Sequence, residues 1–283
     1  MPAAAPGAAA VVSRLAAGVE YRGTAYRGWQ RQQPGVPSVQ EAVEKALSRV
    51  ANHPVTLFCA GRTDAGVHAS GQVIHFDSDA QREPLNWIHG ANANLPADIS
   101  LSWVKKVPED FHARFSASAR RYRYVIYNDP IRPAHLAHEV TWNYRPLDLE
   151  RMQLAAEALL GQHDFSAFRA VACQAKSPIK TIHHLELVRF GQFIVLDIRA
   201  NAFLHHMVRN IAGVLMQIGC GEKPVAWAAE VLAGKDRRSG GLTAPGYGLY
   251  LVDVTYPQHF DLPERYLGPH FLSGLNERLP RIC

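Results

Sequence analysis

The amino-acid sequence predicts an α+β fold, a mostly antiparallel sheet with helices on one of its faces. Two observations carry this: stretches of strand and helix character interleave along the whole chain, and hairpin signals outnumber clean strand–helix–strand crossovers. A third sets the extent of the fold. No proline- or serine-rich linker divides the body, although the long stretch at 128–148 fits a hinge between two halves.

Ser38-Val39-Gln40-Glu41 forms a capping box, and Val39, Val43, Ala46, Leu47 and Val50 recur behind it at helical spacing. Short β-rich runs follow at 55–62 and 72–77. The Asp and the two glycines between them favour a loop with positive φ, which puts Asp64 just past a strand end. Such loops often carry function on a rigid frame. A helix after Pro84 and a strand at 99–107 come next, then an irregular stretch at 111–116. Residues 119–128 alternate as a strand, with Arg121, Arg123, Val125 and Tyr127 on one side and Tyr122, Tyr124 and Ile126 on the other.

Asp148 caps a helix that Gly161 ends, and 181–189 and 193–200 flank Phe190-Gly191-Gln192 as a hairpin. A helix at 202–218 capped by Asn201, another from Pro224 to about Gly234, and a strand at 248–256 complete the body. The chain thus divides into a disordered lead-in at 1–13, an N-terminal half at 14–128 that carries the Asp64 loop, a C-terminal half at 129–257 and a tail at 258–283.

At 283 residues, 47% hydrophobic and 19% charged, the composition is that of an ordinary soluble globular protein with a sizeable core. A net charge of +5 leans towards a polyanionic partner. No apolar run approaches the ~18–20 residues that span a bilayer, and residues 1–10 lack the basic and apolar regions of a secretory signal. Cys59, Cys173, Cys220 and Cys283 are widely spaced with no C-x-x-C pair, so a reducing cytoplasm is the expected compartment.

Neither a G-x-x-x-x-G-K-[ST] loop nor a G-x-G-x-x-G turn is present, so nucleotide-cofactor folds lose their signature. His183-His184 and His205-His206 are adjacent pairs. Neighbours point apart on a strand and lie about 100° apart on a helix, so neither pair is expected to ligate a metal. Arg114, Arg120, Arg121 and Arg123 share an acid-free stretch with Phe111, Phe115, Tyr122 and Tyr124, a mixture that suits phosphate contacts and base stacking.

The string Gly61-Arg62-Thr63-Asp64-Ala65-Gly66-Val67-His68 resembles the active-site signature of the tRNA pseudouridine synthase A family. Residues 91–98 (ANANLPAD), 111–128 (FHARFSASARRYRYVIYN), 164–169 (DFSAFR), 199–212 (RANAFLHHMVRNIA) and 248–252 (GLYLV) resemble further blocks of that family, in its order. The resemblance implies the pseudouridine synthase fold: two α/β halves around a continuous antiparallel sheet, flanking helices and a central basic cleft. It also implies a homodimer acting on tRNA, isomerising uridine at positions 38, 39 and 40 of the anticodon stem-loop without cofactor or metal.

The same resemblance distributes roles. Asp64 is the nucleophile, attacking C1′ or C6 of the nucleoside or assisting a glycal route. Arg209 is its salt-bridge partner; it lies outside the apolar stripe of Phe203, Met207, Ile211, Val214 and Ile218, and a cationic neighbour favours the charged carboxylate. Tyr122 stacks on the target base, worth about 1–3 kcal/mol, and can shuttle a proton. Arg62 fills the space left by the flipped base, whose extrusion costs a few kcal/mol. RNA contacts are expected from Arg82, Phe111, Arg114, Phe115, Arg121, Arg123, Arg169 and Lys176, and His68 either touches RNA or pins the loop. Asp129-Pro130 stands where a basic residue is expected in some relatives. Two other readings are weighed: a non-catalytic tRNA-binding protein on the same fold, and a hydrolase, which needs a second carboxylate.

Overall fold

The computed structural model describes residues 11–171 and 173–277; the sequence at 1–10 and Cys283 lie outside them. In chain order the elements are β1 (Ser13–Tyr21), α1 (Val39–Ala51), β2 (Leu57–Cys59), β3 (His68–Ser78), α2 (Pro84–Asn94), β4 (Ile99–Lys106) and β5 (Ala119–Asn128). Then come β6 (Thr141–Asn143), α3 (Leu149–Glu157), β7 (Gly161–Asp164), β8 (Ile179–Phe190), β9 (Phe193–Ala200), α4 (Met207–Gly219), α5 (Trp227–Gly234) and β10 (Leu249–Thr255). All ten strands join one sheet in the order β4-β1-β3-β10-β5-β9-β8-β7, with β2 on β3 and β6 on β5. Pairing is antiparallel except where β10 meets β3 and β6 meets β5. The fold is α+β.

Local chemistry explains the elements that the sequence announces. Ser38 accepts the Glu41 N–H at 3.3 Å and opens α1, and Asp148 accepts the Arg151 N–H at 3.2 Å and opens α3. Gly191, at φ 59°, turns β8 into β9. Three boundaries differ from expectation. Gly161 opens β7 instead of ending α3. Strand β3 begins at His68, so the loop after β2 is shorter than the glycine spacing suggests. Helix α4 begins at Met207, because the Asn201 side chain accepts the N–H groups of Thr181 (3.0 Å) and Ala202 (2.8 Å) and ties the chain to β8. Strand β1 has no counterpart in the sequence expectations. Its Ala16-Ala17-Gly18 centre gives neither alternation nor β-branched enrichment, yet Ala16 and Ala17 are fully buried. Gly18 is needed there, since a Cβ would stand 2.1 Å from the indole of Trp103, its partner on β4.

The two faces of β5 enter different cores. Tyr122, Tyr124 and Ile126 join the main core with α1 to α5. Val125 joins a smaller core on the other face, with Val195 and Val252 beneath Leu267, Leu272 and Leu275 of the tail. Arg121 and Arg123 lie on this second face. Asp197, paired with Arg123 across β9, bonds both: Arg121 Nε at 2.6 Å and Arg123 Nε at 2.7 Å, with all three side chains at most 2% exposed. Arg123 also donates to the Gly268 carbonyl at 2.9 Å. The expectation that these two arginines contact RNA is therefore corrected. Both are buried and bonded to Asp197, and the tail carbonyl of Gly268 caps Arg123.

Removing Asp197 leaves two buried guanidinium groups without their carboxylate. Asp197→Ala is expected to cost about 3–5 kcal/mol of stability, seen as a lower urea midpoint at unchanged m-value.

Candidate active site

Asp64 sits in the loop between β2 and β3, and that loop is pinned from several sides. Gln72 holds Gly61 by both backbone groups, donating to its carbonyl at 2.6 Å and accepting its N–H at 3.3 Å. The buried Tyr21 hydroxyl bonds Thr63 Oγ1 at 2.7 Å, and the Trp29 N–H donates to the Thr63 carbonyl at 3.0 Å. Gly28 permits that approach: at φ 101° it takes a conformation rare for other residues, and a Cβ would stand 2.7 Å from the same carbonyl. Arg120 binds four carbonyls, those of Ala60 (3.0 Å), Arg114 (2.7 Å), Ala117 (3.2 Å) and Asn201 (3.3 Å). It works here as a brace.

Three groups from around the start of α4 meet the Asp64 carboxylate. Arg209 Nη1 lies 3.3 Å from Oδ2, His206 Nε2 lies 3.3 Å from Oδ2, and His205 Nε2 lies 3.1 Å from Oδ1. The first turn of a helix also favours a negative charge through its free N–H groups and dipole. Arg209 is held in turn, with Nε donating to the Ala244 carbonyl at 2.8 Å. Asn210 anchors the helix, donating to Phe168 O at 2.7 Å and accepting from Arg237 and Thr243. Gly213 lets the 242–244 segment lie against α4, since a Cβ there would stand 2.0 Å from Leu242 O.

The converging imidazoles correct the expectation that adjacent histidines point apart. His206 adopts a left-handed backbone (φ 64°, ψ 4°) at the cap of α4, which turns its ring to the same side as that of His205. The pair stood in the sequence block that also supplies Arg209, but a left-handed residue is not readable from helical or strand periodicity. Burial lowers the His206 pKa, so this ring is neutral near pH 7. Ligand atoms of Asp64, His205 and His206 lie within 4.8 Å of one another, a spacing that admits a metal ion. The Arg209 guanidinium on the same carboxylate opposes a divalent cation there.

Tyr122 of β5 stands beside the loop, its hydroxyl 3.7 Å from where a Cβ on Gly61 would be, and its ring meets Phe203 edge-on at 5.0 Å. Burial pushes its pKa well up, and the nearby Asp64 charge adds to that. Of the other expected residues, Arg62, Arg82, Arg114, Phe115 and Lys176 are exposed, with Arg114 5.5 Å from the Phe115 ring centre. Arg169 is half-buried and donates to the Cys173 carbonyl.

Two further expectations are corrected. Phe111 is fully buried between Tyr256 and Phe260, so it packs the core and cannot touch RNA. His68 is buried as well. Its Nδ1 accepts the Gly23 N–H at 3.0 Å, its Nε2 faces the carbonyls of His138 (2.9 Å) and Tyr247 (3.0 Å), and its ring stacks on Tyr250. Of its two suggested roles, pinning the loop is the one its surroundings allow.

A carboxylate fixed on a loop between two strands, bracketed by a guanidinium and two imidazoles and flanked by a tyrosine, suits nucleophilic and acid–base chemistry. The profile of one enzyme family, described as tRNA pseudouridine synthase, matches residues 17–116 and 155–257. The chain is 70% identical over 274 residues to the tRNA pseudouridine synthase A of Pseudomonas aeruginosa, covering 97% of this chain and 96% of that one. It is 60% identical to the tRNA pseudouridine synthase A of Alcanivorax borkumensis, with 92% and 98% covered. For the enzyme of that name from Klebsiella pneumoniae the identity is 59%, with 93% and 97% covered. The chain belongs to the tRNA pseudouridine synthase family.

Gly213→Val should push the 242–244 segment off α4 and loosen the Ala244 grip on Arg209. A stability loss of about 1–3 kcal/mol is expected in denaturant titration, together with a drop in catalytic rate.

Proposed function

We propose that this chain is an isomerase that converts uridine to pseudouridine in tRNA, at positions 38, 39 and 40 of the anticodon stem-loop. In this reading it acts as a cytoplasmic homodimer without a cofactor. The observation that carries the reading is the Asp64 carboxylate, held by Arg209 on a doubly pinned loop with Tyr122 beside it. The reaction breaks N1–C1′ and makes C5–C1′, with no redox change, so it needs a nucleophile, a pocket for the detached ring and a route for one proton.

Asp64 is the nucleophile, with Arg209 fixing Oδ2. Tyr122 lies against the target base. Its buried hydroxyl is protonated, which suits stacking and hydrogen-bond donation better than proton removal. Exposed Arg62, two residues before Asp64, fills the gap left by the extruded base and offsets part of the unstacking cost. Arg82, Arg114, Phe115, Arg169 and Lys176 contact the rest of the RNA. A hydrolase that uses paired carboxylates fits less well, because the groups that bracket Asp64 are imidazoles and a guanidinium. The cytoplasm is the compartment where tRNA is found, and no helix among the described residues is long and apolar enough to cross a membrane.

Mapping pseudouridine in tRNA incubated with wild-type and Asp64→Ala protein tests the reading. Product at the three positions is expected only with wild type, while the variant still binds tRNA. Release of free uracil would point to hydrolysis, and binding without product in the wild type would leave only a tRNA-binding protein. Affinity should fall steeply with salt. Arg114→Ala should reduce the log–log slope by about 1, and an unchanged slope would remove Arg114 from the phosphate contacts.

A further inference from the structure

We propose that His205 is the base that takes the C5 proton of the rejoined ring and returns it to N1, an inference that rests on the isomerase reading above. The chemistry demands such a group. Once C5 has bonded to C1′, that carbon carries both the sugar and its original hydrogen, and the ring holds an N1=C6 double bond. The C5–H bond must then break. Its electron pair forms C5=C6, the N1=C6 π pair moves onto N1, and N1 takes up one proton. Whichever way the N1–C1′ bond was broken, this transfer from C5 to N1 closes the reaction, and its atoms and electrons balance without any co-reactant.

The other groups around Asp64 serve this step poorly. The Arg209 guanidinium has no lone pair to offer, and its Nη1 and Nε are engaged with Asp64 Oδ2 and Ala244 O. Tyr122 is buried with its hydroxyl held protonated. Asp64 itself is occupied wherever it bonds to the substrate. Two imidazoles remain, and the carboxylate separates them. His206 shares Oδ2 with Arg209, while His205 alone lies against Oδ1, at 3.1 Å. Oδ1 is the oxygen free of the guanidinium and so the one that can reach the nucleoside. His205 is also the most open side chain of the cluster, 39% exposed against 27% for His206 and 15% for Arg209. Its backbone is fixed by Ala170 and Cys173: the N–H meets Cys173 Sγ at 3.3 Å and the carbonyl accepts the Ala170 N–H at 2.9 Å. An imidazole so placed accepts a proton at one nitrogen and gives it back after the ring has settled, without leaving the site.

The test uses His205→Asn, whose amide can still donate to Asp64 but cannot accept a proton at working pH. His205→Gln serves as a second variant should the first fail to fold. Pseudouridine formation in tRNA should fall by on the order of 10²-fold. In tRNA carrying deuterium at C5 of the target uridine, the variant should show a larger isotope effect than wild type, because C5 proton removal becomes rate-limiting. In tRNA carrying 5-fluorouridine, which has no C5 proton, the variant should cleave the N-glycosidic bond at the wild-type rate. His206→Asn should leave the isotope effect where it is. If both His205 variants are slow on both substrates with an unchanged isotope effect, the ring only positions Asp64 and the proposal is overturned. A wild-type protein that makes no pseudouridine overturns the isomerase reading instead, and that result is visible before any variant is measured.

Discussion

The contact between Asp64 and Arg209 joins residues 145 positions apart, one on a loop after β2 and the other in the first turn of α4. A partly exposed ion pair of this kind contributes at most about 1 kcal/mol, too little to bring two segments together. The order runs the other way. Tyr21, Trp29, Gln72 and Arg120 fix the loop, while Asn210 and the Ala244 carbonyl fix the helix and its arginine. The ion pair then forms between groups whose placement has already been settled by buried and half-buried hydrogen bonds. Catalytic precision here belongs to the scaffold, and the electrostatics act on a carboxylate that scarcely needs to reorganise.

Strand β10 makes that scaffold one piece. It comes from the end of the body, yet it lies between β3 and β5, so the β3 side carrying Asp64 and the β9 side leading to α4 share one ladder. The face behind β5 is sealed by the Arg121–Asp197–Arg123 cluster and the 267–275 segment. Such a cluster is a weak source of net stability, because desolvating three charges costs about what their attraction returns. What it does supply is register. Asp197 meets Arg123 directly across the strands and Arg121 on the diagonal, and a shift of one residue would send these side chains to the face of Tyr122.

Much of this was legible in the sequence wherever a local rule was sufficient. The Ser38 cap, the Asp148 cap, the Gly191 hairpin and the alternation of 119–128 each follow from short-range sterics and hydrogen bonding, and the structure has them. Strand β1 was not legible, because Ala16-Ala17-Gly18 is selected by the neighbours that press on both faces and not by strand propensity. The histidine pair was misjudged for a related reason: a single left-handed residue breaks the periodicity on which the inference relied. The case of Arg121 and Arg123 is more instructive. Alternation already placed them opposite Tyr122, so they could not line the same site. Their carboxylate partner, more than 70 residues away, was what periodicity could not reveal.

That burial changes the electrostatic account of RNA binding. A stretch rich in arginine and free of acid looks like one uniform grip, but its four arginines divide three ways. Arg121 and Arg123 neutralise Asp197, Arg120 braces four carbonyls in a half-buried setting where desolvation lowers its pKa, and Arg114 alone is exposed. Counterion release counts only the phosphates that cations actually neutralise, so the charge count of the segment overstates its contribution to affinity. The exposed cations Arg62, Arg82, Arg114 and Lys176 come from four separate loops. A contact surface assembled that way depends on the sheet holding those loops at fixed separations.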